Sequence, residues 1–259
     1  MKVIILAGGY GTRLGSITEE MPKPMVRIGD KPIIWHIMKI YSNYGYKDFI
    51  IALGYKQEML KEYFYKYDVG SDDYTINLGS KKIDKLKEHN EKDWNVSLID
   101  TGLHTLKGGR IKRLEKYLDA DDIHMLTYGD GVADIDIKKL VKFHKSHGKM
   151  VTITGVRPPS RFGELLEKKG KLISFKEKPQ TSFGFISGGF IVFNKKLLEY
   201  LTEDENCDLE YGVFEKLAKK GQIMVYKHTG KWECVDTDRD LKHLNKIWNE
   251  GKAFWKNSK

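Results

Sequence analysis

Short apolar runs alternate with helix-patterned stretches through the first 155 residues of this 259-residue chain, and that rhythm restricts the fold more than any other feature. Val3–Leu6, Phe49–Leu53, Ile123–Thr127 and Val151–Val156 read as buried strands. Between them, Pro32–Tyr44 places Ile33, Ile37, Ile40, Tyr41 and Tyr44 at helical spacing, with a proline near its start and Gly45 beyond its end. Ile137–His147 has the same character, with Leu140, Val141 and Phe143 apolar. Strands that alternate with helices are joined by crossovers and run parallel, so the expectation is an α/β fold. Such sheets bind ligands at the carboxyl ends of their strands.

Residues 70–99 interrupt the rhythm. Tyr74–Leu78 and Val96–Ile99 look like strands on either side of a lysine- and glutamate-rich tip, which predicts an exposed β-hairpin flap. Later, Leu172–Lys176, Phe185–Phe193 and Gln222–Tyr226 read as strands, and Leu209–Lys220 and Asp238–Glu250 as helices. These complete the same sheet and add a C-terminal extension, so residues 1–259 read as a single domain.

Lysine and arginine outnumber aspartate and glutamate by 45 to 36, a formal charge of +9. That excess favours anionic ligands, though a solvated lysine-rich surface would give the same count. The lysines are scattered and form no arginine-rich arm, so nucleic acid is not an expected partner. Cys207 and Cys234 cannot build a disulfide framework or a cysteine zinc site, which leads us to expect reduced thiols and a cytoplasmic location. The N-terminal apolar run is too short for a signal peptide, and no stretch approaches the length of a membrane span.

The strongest chemical signal is Leu-Ala-Gly-Gly-Tyr-Gly-Thr-Arg-Leu at 6–14. A strand runs straight into Gly8, Gly9 and Gly11. Glycines there let the backbone approach a ligand and turn amides toward phosphate oxygens, and Arg13 adds a cationic fork. A Walker loop would end Gly-Lys-Ser/Thr, and a dinucleotide fingerprint would need glycine where Leu14 stands. Pro-Lys-Pro-Met follows at 22–25. Prolines on both sides predict a rigid extended segment that presents Lys23 to an anion at small entropic cost. Asp130, bracketed by Gly129 and Gly131 directly after the strand Ile123–Thr127, is a carboxylate facing the ligand crevice and suited to magnesium. Asp236, read from its neighbours alone, is an acidic residue at the start of a helix. Gly108 and Gly109 precede a helical pattern at Ile111–Leu118, an arrangement that favours an anion at the helix N-terminus. Arg110 could equally be a helix-surface arginine. Gly188 and Gly189 lie inside an apolar strand, where a flat sugar ring approaching closely would account for them.

The order GGxGTR, PKPM, GDG, EKP and a late VDT resembles the sugar-1-phosphate nucleotidylyltransferases nearly end to end. Residues 100–113, 127–134, 158–163 and 251–256 are similar to the branch of that family that joins CTP to glucose 1-phosphate. The resemblance implies a Rossmann-like, mostly parallel mixed sheet flanked by helices, Mg2+ as cofactor and a homo-oligomer. It implies that Arg13 and Lys23 are catalytic and that Leu6, Ala7, Gly8, Gly9, Gly11, Thr12, Arg13, Thr105, Arg110 and Gly129 bind nucleotide. It assigns Asp130 and Asp236 to the metal. Glu177, Lys178, Gly188 and Gly189 go to the sugar phosphate, and residues 195–259 to the sugar side and the subunit contacts. Ser187 departs from the asparagine common before the paired glycines, which leaves the choice of sugar open. Uridylyl, thymidylyl or guanylyl transfer to another sugar 1-phosphate is the alternative within the enzymes. A non-catalytic nucleotide-sensing subunit is the alternative outside them. His36, His144 and His147 lack metal-ligand spacing and read as structural or solvated. No histidine pairs with Ser160 or Ser187 to form a triad, and Trp232, Trp248 and Trp255 read as core or subunit contacts.

Overall fold

The computed structural model describes residues 1–118, 121–158, 164–176 and 184–257. In chain order its strands are β1 (Val3–Leu6), β2 (Arg27–Ile28), β3 (Lys31–Pro32), β4 (Asp48–Leu53), β5 (Asp73–Ile76), β6 (Ile83–Lys87), β7 (Asn95–Asp100) and β8 (Ile123–Tyr128). Then come β9 (Gly131–Ala133), β10 (Val151–Val156), β11 (Glu164–Lys168), β12 (Lys171–Lys176), β13 (Ile186–Asn194), β14 (Ile223–Lys227) and β15 (Trp232–Cys234). The α-helices are α1 (Ser16–Glu20), α2 (Ile33–Ser42), α3 (Gln57–Tyr65), α4 (Tyr67–Ser71), α5 (Lys107–Arg113), α6 (Ile137–His147), α7 (Glu215–Lys219) and α8 (Asp238–Asn249).

Seven strands form one sheet in the order β14-β10-β13-β8-β1-β4-β7. β1 is parallel to β4 and β8, β4 to β7, and β10 to β14. Only β13 runs against its neighbours β8 and β10. The connection before β13 carries the β11–β12 hairpin where a crossover helix would otherwise stand, so the chain returns antiparallel. The sheet is thus mostly parallel and mixed, as expected.

Side chains of a strand alternate between faces. Val3 and Ile5 pack on one side with Phe49, Ile51 and the apolar face of α2, while Ile4, Ile50 and Leu126 join α5 and the Leu197–Leu217 region on the other. Burying each such side chain contributes roughly 1.5–3 kcal/mol. Helix α2 buries Ile33, Ile34, Ile37, Met38, Ile40 and Tyr41. The chain leaves it through Gly45, whose φ of 88° suits a residue without Cβ.

Two expectations are corrected. Val96–Ile99 is not an arm of the flap: it lies in β7, the edge strand paired to β4. The hairpin is β5–β6, exposed along its whole length, whereas Val96 and Leu98 lean on the core. Leu209–Lys220 is not one helix. Tyr211 (ψ 117°) and Gly212 (φ 97°) leave helical geometry, so regular helix is confined to α7.

The C-terminal extension folds back over the segment that follows Lys23. Helix α8 opens with a capping box: the Thr237 side chain accepts from the Asp240 N–H, and the Asp240 carboxylate accepts from the Thr237 N–H. Farther along, Asn245 accepts from the Gly29 N–H (2.9 Å) and donates to the Arg27 carbonyl (3.1 Å). Below it His36 is buried, its Nε2 2.9 Å from the Ile28 carbonyl and its Nδ1 3.3 Å from the Trp255 indole nitrogen. Since the indole can only donate, Nδ1 accepts and Nε2 carries the proton. Burial pushes the His36 pKa down to about 4 from an ordinary 6.5. The unfolded chain therefore takes up this proton first, so stability is full above about pH 6.5 and drains as pH falls toward 4. The loss is on the order of 3 kcal/mol. Denaturant titrations at pH 7.5 and 4.5 should show that drop, and His36→Gln should flatten it.

Candidate active site

The carboxyl ends of β1 and β8 lie side by side, because Leu6 pairs in register with Tyr128. Past those ends the two chains separate, and the glycine loop leaves one while Gly129-Asp130 leaves the other. The loop is fastened from beneath: the Ala7 N–H donates to the Ala52 carbonyl (3.0 Å) and the Gly8 carbonyl accepts from the Tyr55 N–H (3.1 Å). Gly11 adopts φ 67°, and a Cβ there would meet Thr18 at 2.9 Å and Lys23 at 3.2 Å. Thr12–Leu14 closes into a 3-10 turn that leaves Thr12 and Arg13 at the surface.

Lys23 is not in an extended segment. Pro22 is extended, but Lys23–Met25 forms a 3-10 turn with Pro24 in its first positions, and this turn carries the Lys23 side chain inward. Its ammonium donates to Asp130 Oδ2 and to Asp236 Oδ1, both at 2.7 Å. Arg13 Nη1 donates to the other oxygen of Asp236, also at 2.7 Å. The two aspartates, 106 positions apart in sequence, therefore share one cleft with the two basic side chains. A short two-stranded ribbon brings them together. β15 pairs antiparallel with β9, Cys234 lies opposite Gly131, and the Val235 N–H donates to the Asp130 carbonyl at 2.9 Å. The Asp236 N–H is held by the Asp240 carboxylate at 3.1 Å.

The electrostatics follow from this packing. Burial pulls the Lys23 pKa down, but the hydrogen-bonded carboxylates outweigh it and hold the ammonium above the ordinary lysine value. Burial likewise favours a neutral Asp236, yet Lys23 and Arg13 keep its carboxyl below the usual range. The Cys234 thiol is pushed up by burial and by both aspartates, so it stays protonated. Asp130 and Asp236 offer hard oxygen donors aimed at a single cationic centre. The Asp130 side chain remains 27% exposed, so that pair suits a magnesium-type ion bound jointly with phosphate oxygens.

Several of the other expected site residues have structural work. Arg110 is buried, and its guanidinium donates to the carbonyls of Gly8, Leu53, Gly102 and Leu103 and to Thr101 Oγ1. It braces the glycine loop from below and is not an ordinary surface arginine. Thr105 is buried and accepts from Arg113 Nη1 at 2.8 Å. Gly108 and Gly109 do not precede the helix as expected but lie within the first turn of α5. A Cβ on Gly108 would meet the Cys207 carbonyl at 2.7 Å, and one on Gly109 the Asp204 carbonyl at 2.4 Å. The Gly109 N–H donates to Cys207, so these glycines serve close packing and not an anion.

A Cβ on Gly129 would lie 2.9 Å from the Leu6 carbonyl and 3.0 Å from the Pro24 ring, so those two groups fill that crossing. Gly188 and Gly189 sit where the β10–β13 register shifts. Gly189 has φ 79°, and a Cβ there would be 2.5 Å from the Tyr128 ring, while one on Gly188 would be 2.5 Å from Val156. The protein's own packing already requires glycine at both positions. Glu177 and Lys178 lie outside the described residues. Sequence reasoning missed Tyr10, whose ring lies tilted against Tyr55 at 5.1 Å between centroids and whose hydroxyl is 2.9 Å from His104 Nδ1, closing the rim of the glycine loop. An exposed aromatic between two loop glycines was the available signal.

A family described as nucleotidyl transferase matches residues 2–250. The glucose-1-phosphate cytidylyltransferase of Salmonella typhimurium is 45% identical over 256 residues, 99% of each chain. This chain belongs to the nucleotidyl transferases. A probable glucose-1-phosphate cytidylyltransferase of Bacillus subtilis is 41% identical over the same coverage. Among solved structures, HddC from Yersinia pseudotuberculosis superposes with a TM-score of 0.70 at 24% identity, covering 95% of this chain and 99% of that one, and agrees in fold. For a nucleotidyl transferase the cleft is chemically apt: glycine-loop amides, two cations and two carboxylates meet at the carboxyl ends of parallel strands. No helix among the described residues is long and apolar enough to cross a membrane.

Proposed function

We propose that this nucleotidyl transferase moves the cytidylyl group of CTP onto α-D-glucose 1-phosphate, giving CDP-glucose and pyrophosphate. The convergence of Lys23, Arg13, Asp130 and Asp236 at one point carries the reading of group transfer. The two cytidylyltransferase relatives, similar along their full length, support the choice of nucleotide and sugar. The obstacle to the reaction is mutual repulsion between a triphosphate and a sugar phosphate. A Mg2+ ion held by Asp130 and Asp236 supplies charge neutralisation and Lewis acidity when bound. The chain's own groups do the rest.

The segment Leu6–Thr12 receives the nucleotide on its backbone amides, with Gly8 held in place by Arg110 and Gly9 open to solvent. We assign Gly129 and Thr105 to the nucleotide as well, the 101–105 loop being held by Arg110 at Gly102 and by Arg113 at Thr105. Arg13, 70% exposed, is free to fold onto the β- and γ-phosphates of CTP and to stabilise the departing pyrophosphate. Lys23 reaches the α-phosphate region from its rigid turn. An oxygen of the sugar phosphate attacks the α-phosphorus while the bond to the bridging oxygen of pyrophosphate breaks in line, and no group on the protein is modified. We assign Glu177 and Lys178 to the sugar phosphate, with the Gly188–Gly189 bulge and Tyr128 shaping the nearby wall.

We further propose a homo-oligomer located in the cytoplasm. The exposed apolar side chains of the flap, Leu78 and Leu86 among them, are suited to contact a second copy. A mass in solution above the 30.0 kDa of one chain checks that assembly.

The deciding experiment mixes the protein with each nucleoside triphosphate and a panel of sugar 1-phosphates and identifies products by mass. CTP with glucose 1-phosphate should give the highest kcat/KM. Equal or faster turnover of UTP, dTTP or GTP would reassign the nucleotide, and no product from any pair would favour a nucleotide sensor.

A further inference from the structure

Lys23 and Arg13 are cations suited to phosphate. In the structure their charged ends pair with the two aspartates. The Lys23 ammonium lies within 2.7 Å of one oxygen on each carboxylate, the place a cation must occupy to touch both. Arg13 takes the remaining oxygen of Asp236. Two negative charges are therefore already met by two positive ones in a cleft where the lysine is only 11% exposed. A divalent ion arriving alone would find its ligands engaged and two like charges beside it. Nucleotide changes this balance, because its phosphates offer both cations a competing anionic partner and free the carboxylate oxygens.

We propose that Lys23, assisted by Arg13, is an internal counter-ion that bars divalent metal from Asp130 and Asp236 until nucleotide draws the two side chains away. This inference rests on the reading of Asp130 and Asp236 as the metal ligands, and it adds an order of events that the family assignment does not contain. Metal and nucleotide then bind with positive coupling, and by linkage each strengthens the other equally. The arrangement has a use: an enzyme that seated the ion first would leave its lysine unpaired in a buried position. Here one cation replaces another, and the lysine is delivered to the phosphates in the same step.

The test reads metal binding directly, without turnover. Mn2+ alone is titrated into the protein and free ion is counted by electron paramagnetic resonance. Wild type should bind weakly. Lys23→Ala and Lys23→Met, which vacate the seat in two different ways, should bind Mn2+ at least about tenfold more tightly, within the range usual for coupled sites. Lys23→Arg, which retains a cation, should stay near wild type. Thermal melts identify which vacated variants are folded, and either one suffices. A second arm adds α,β-methylene CTP to wild type, with Asp130→Asn as the blank for ion held by the nucleotide itself, and should show tightened Mn2+ binding. The proposal is overturned if wild type without nucleotide binds Mn2+ as tightly as the vacated variants do, or if nucleotide leaves wild-type affinity unchanged. The metal assignment itself fails separately: Asp130→Asn would then bind Mn2+ with nucleotide as well as wild type does.

Discussion

Replacing Lys23 by alanine is expected to lower kcat by 100- to 1,000-fold, the usual consequence of removing a preorganised charge from a transition state that accumulates negative charge. The KM for CTP should change much less, because the glycine-loop amides and Arg13 remain. The structure also sets a stability cost that the sequence alone did not suggest. Lys23 satisfies Asp130 and Asp236 together, and without it two partly buried carboxylates face each other with only Arg13 to offset them. Losing charge-assisted hydrogen bonds of this kind costs about 1.5–3 kcal/mol, so the variant should melt lower yet remain folded. The Asp236 carboxyl, held below its usual range by Lys23 and Arg13, should titrate higher in the variant. Steady-state kinetics with a melt on the same sample separates the two effects. A variant with wild-type kcat would remove Lys23 from the reaction.

Much of the fold was legible because periodicity reports burial directly. Strands β1, β4, β8 and β10 and helices α2 and α6 lie within a residue or two of their expected bounds, since each has one or both faces in the core. The errors occur where burial is weak or conformation is set elsewhere. Val96–Ile99 and Tyr74–Leu78 carry the same alternation, and only pairing to β4 makes the former an edge of the main sheet. At 209–220 the helical pattern is real in Leu209, Val213, Phe214 and Leu217, but the backbone departs from it at Tyr211 and Gly212. Single-residue backbone exceptions leave little trace in a hydrophobic pattern.

The site was legible unevenly. Asp130 could be placed from its neighbours because a strand led straight into it. Asp236 could not, since an aspartate before a helix is first of all a capping candidate, and Asp240 and Thr237 do form that cap. What makes Asp236 a site residue is the β9–β15 ribbon, two strands of three residues each. Such short segments carry too few side chains to show a period. The paired glycines 108–109 and 188–189 show a different ambiguity. A glycine in the wrong place for an element signals close approach, and the chain's own Cys207, Asp204, Tyr128 and Val156 come close enough to require it, which sequence could not distinguish from a ligand.

The same distinction gives a contrast within the glycine loop itself. Gly8→Ala should be severe and Gly9→Ala mild in stability. A Cβ on Gly8 would lie 2.1 Å from Arg110 Nη1 and 2.4 Å from Cζ. That guanidinium cannot step aside cheaply, because Nη1 alone donates to Leu53, Thr101 and Gly102 at 2.7–2.8 Å and Nη2 to Gly8 itself. Overpacking of this kind costs about 1–3 kcal/mol, and every donor forced off a buried acceptor adds to it. At roughly 2–4 °C per kcal/mol for a chain near this size, the melting temperature should fall by about 10 °C. Around Gly9 nothing stands within 4 Å of the new atom, so stability should stay within about 0.5 kcal/mol. Any loss there must come from the ligand side: a methyl group intruding on the triphosphate should raise the KM for CTP while the melt is unchanged. The pair thereby separates a glycine kept for the protein from one kept for the nucleotide. Equal melting temperatures for Gly8→Ala and wild type would mean that Arg110 is mobile and does not brace the loop. An unchanged KM in Gly9→Ala would mean that the phosphates pass elsewhere.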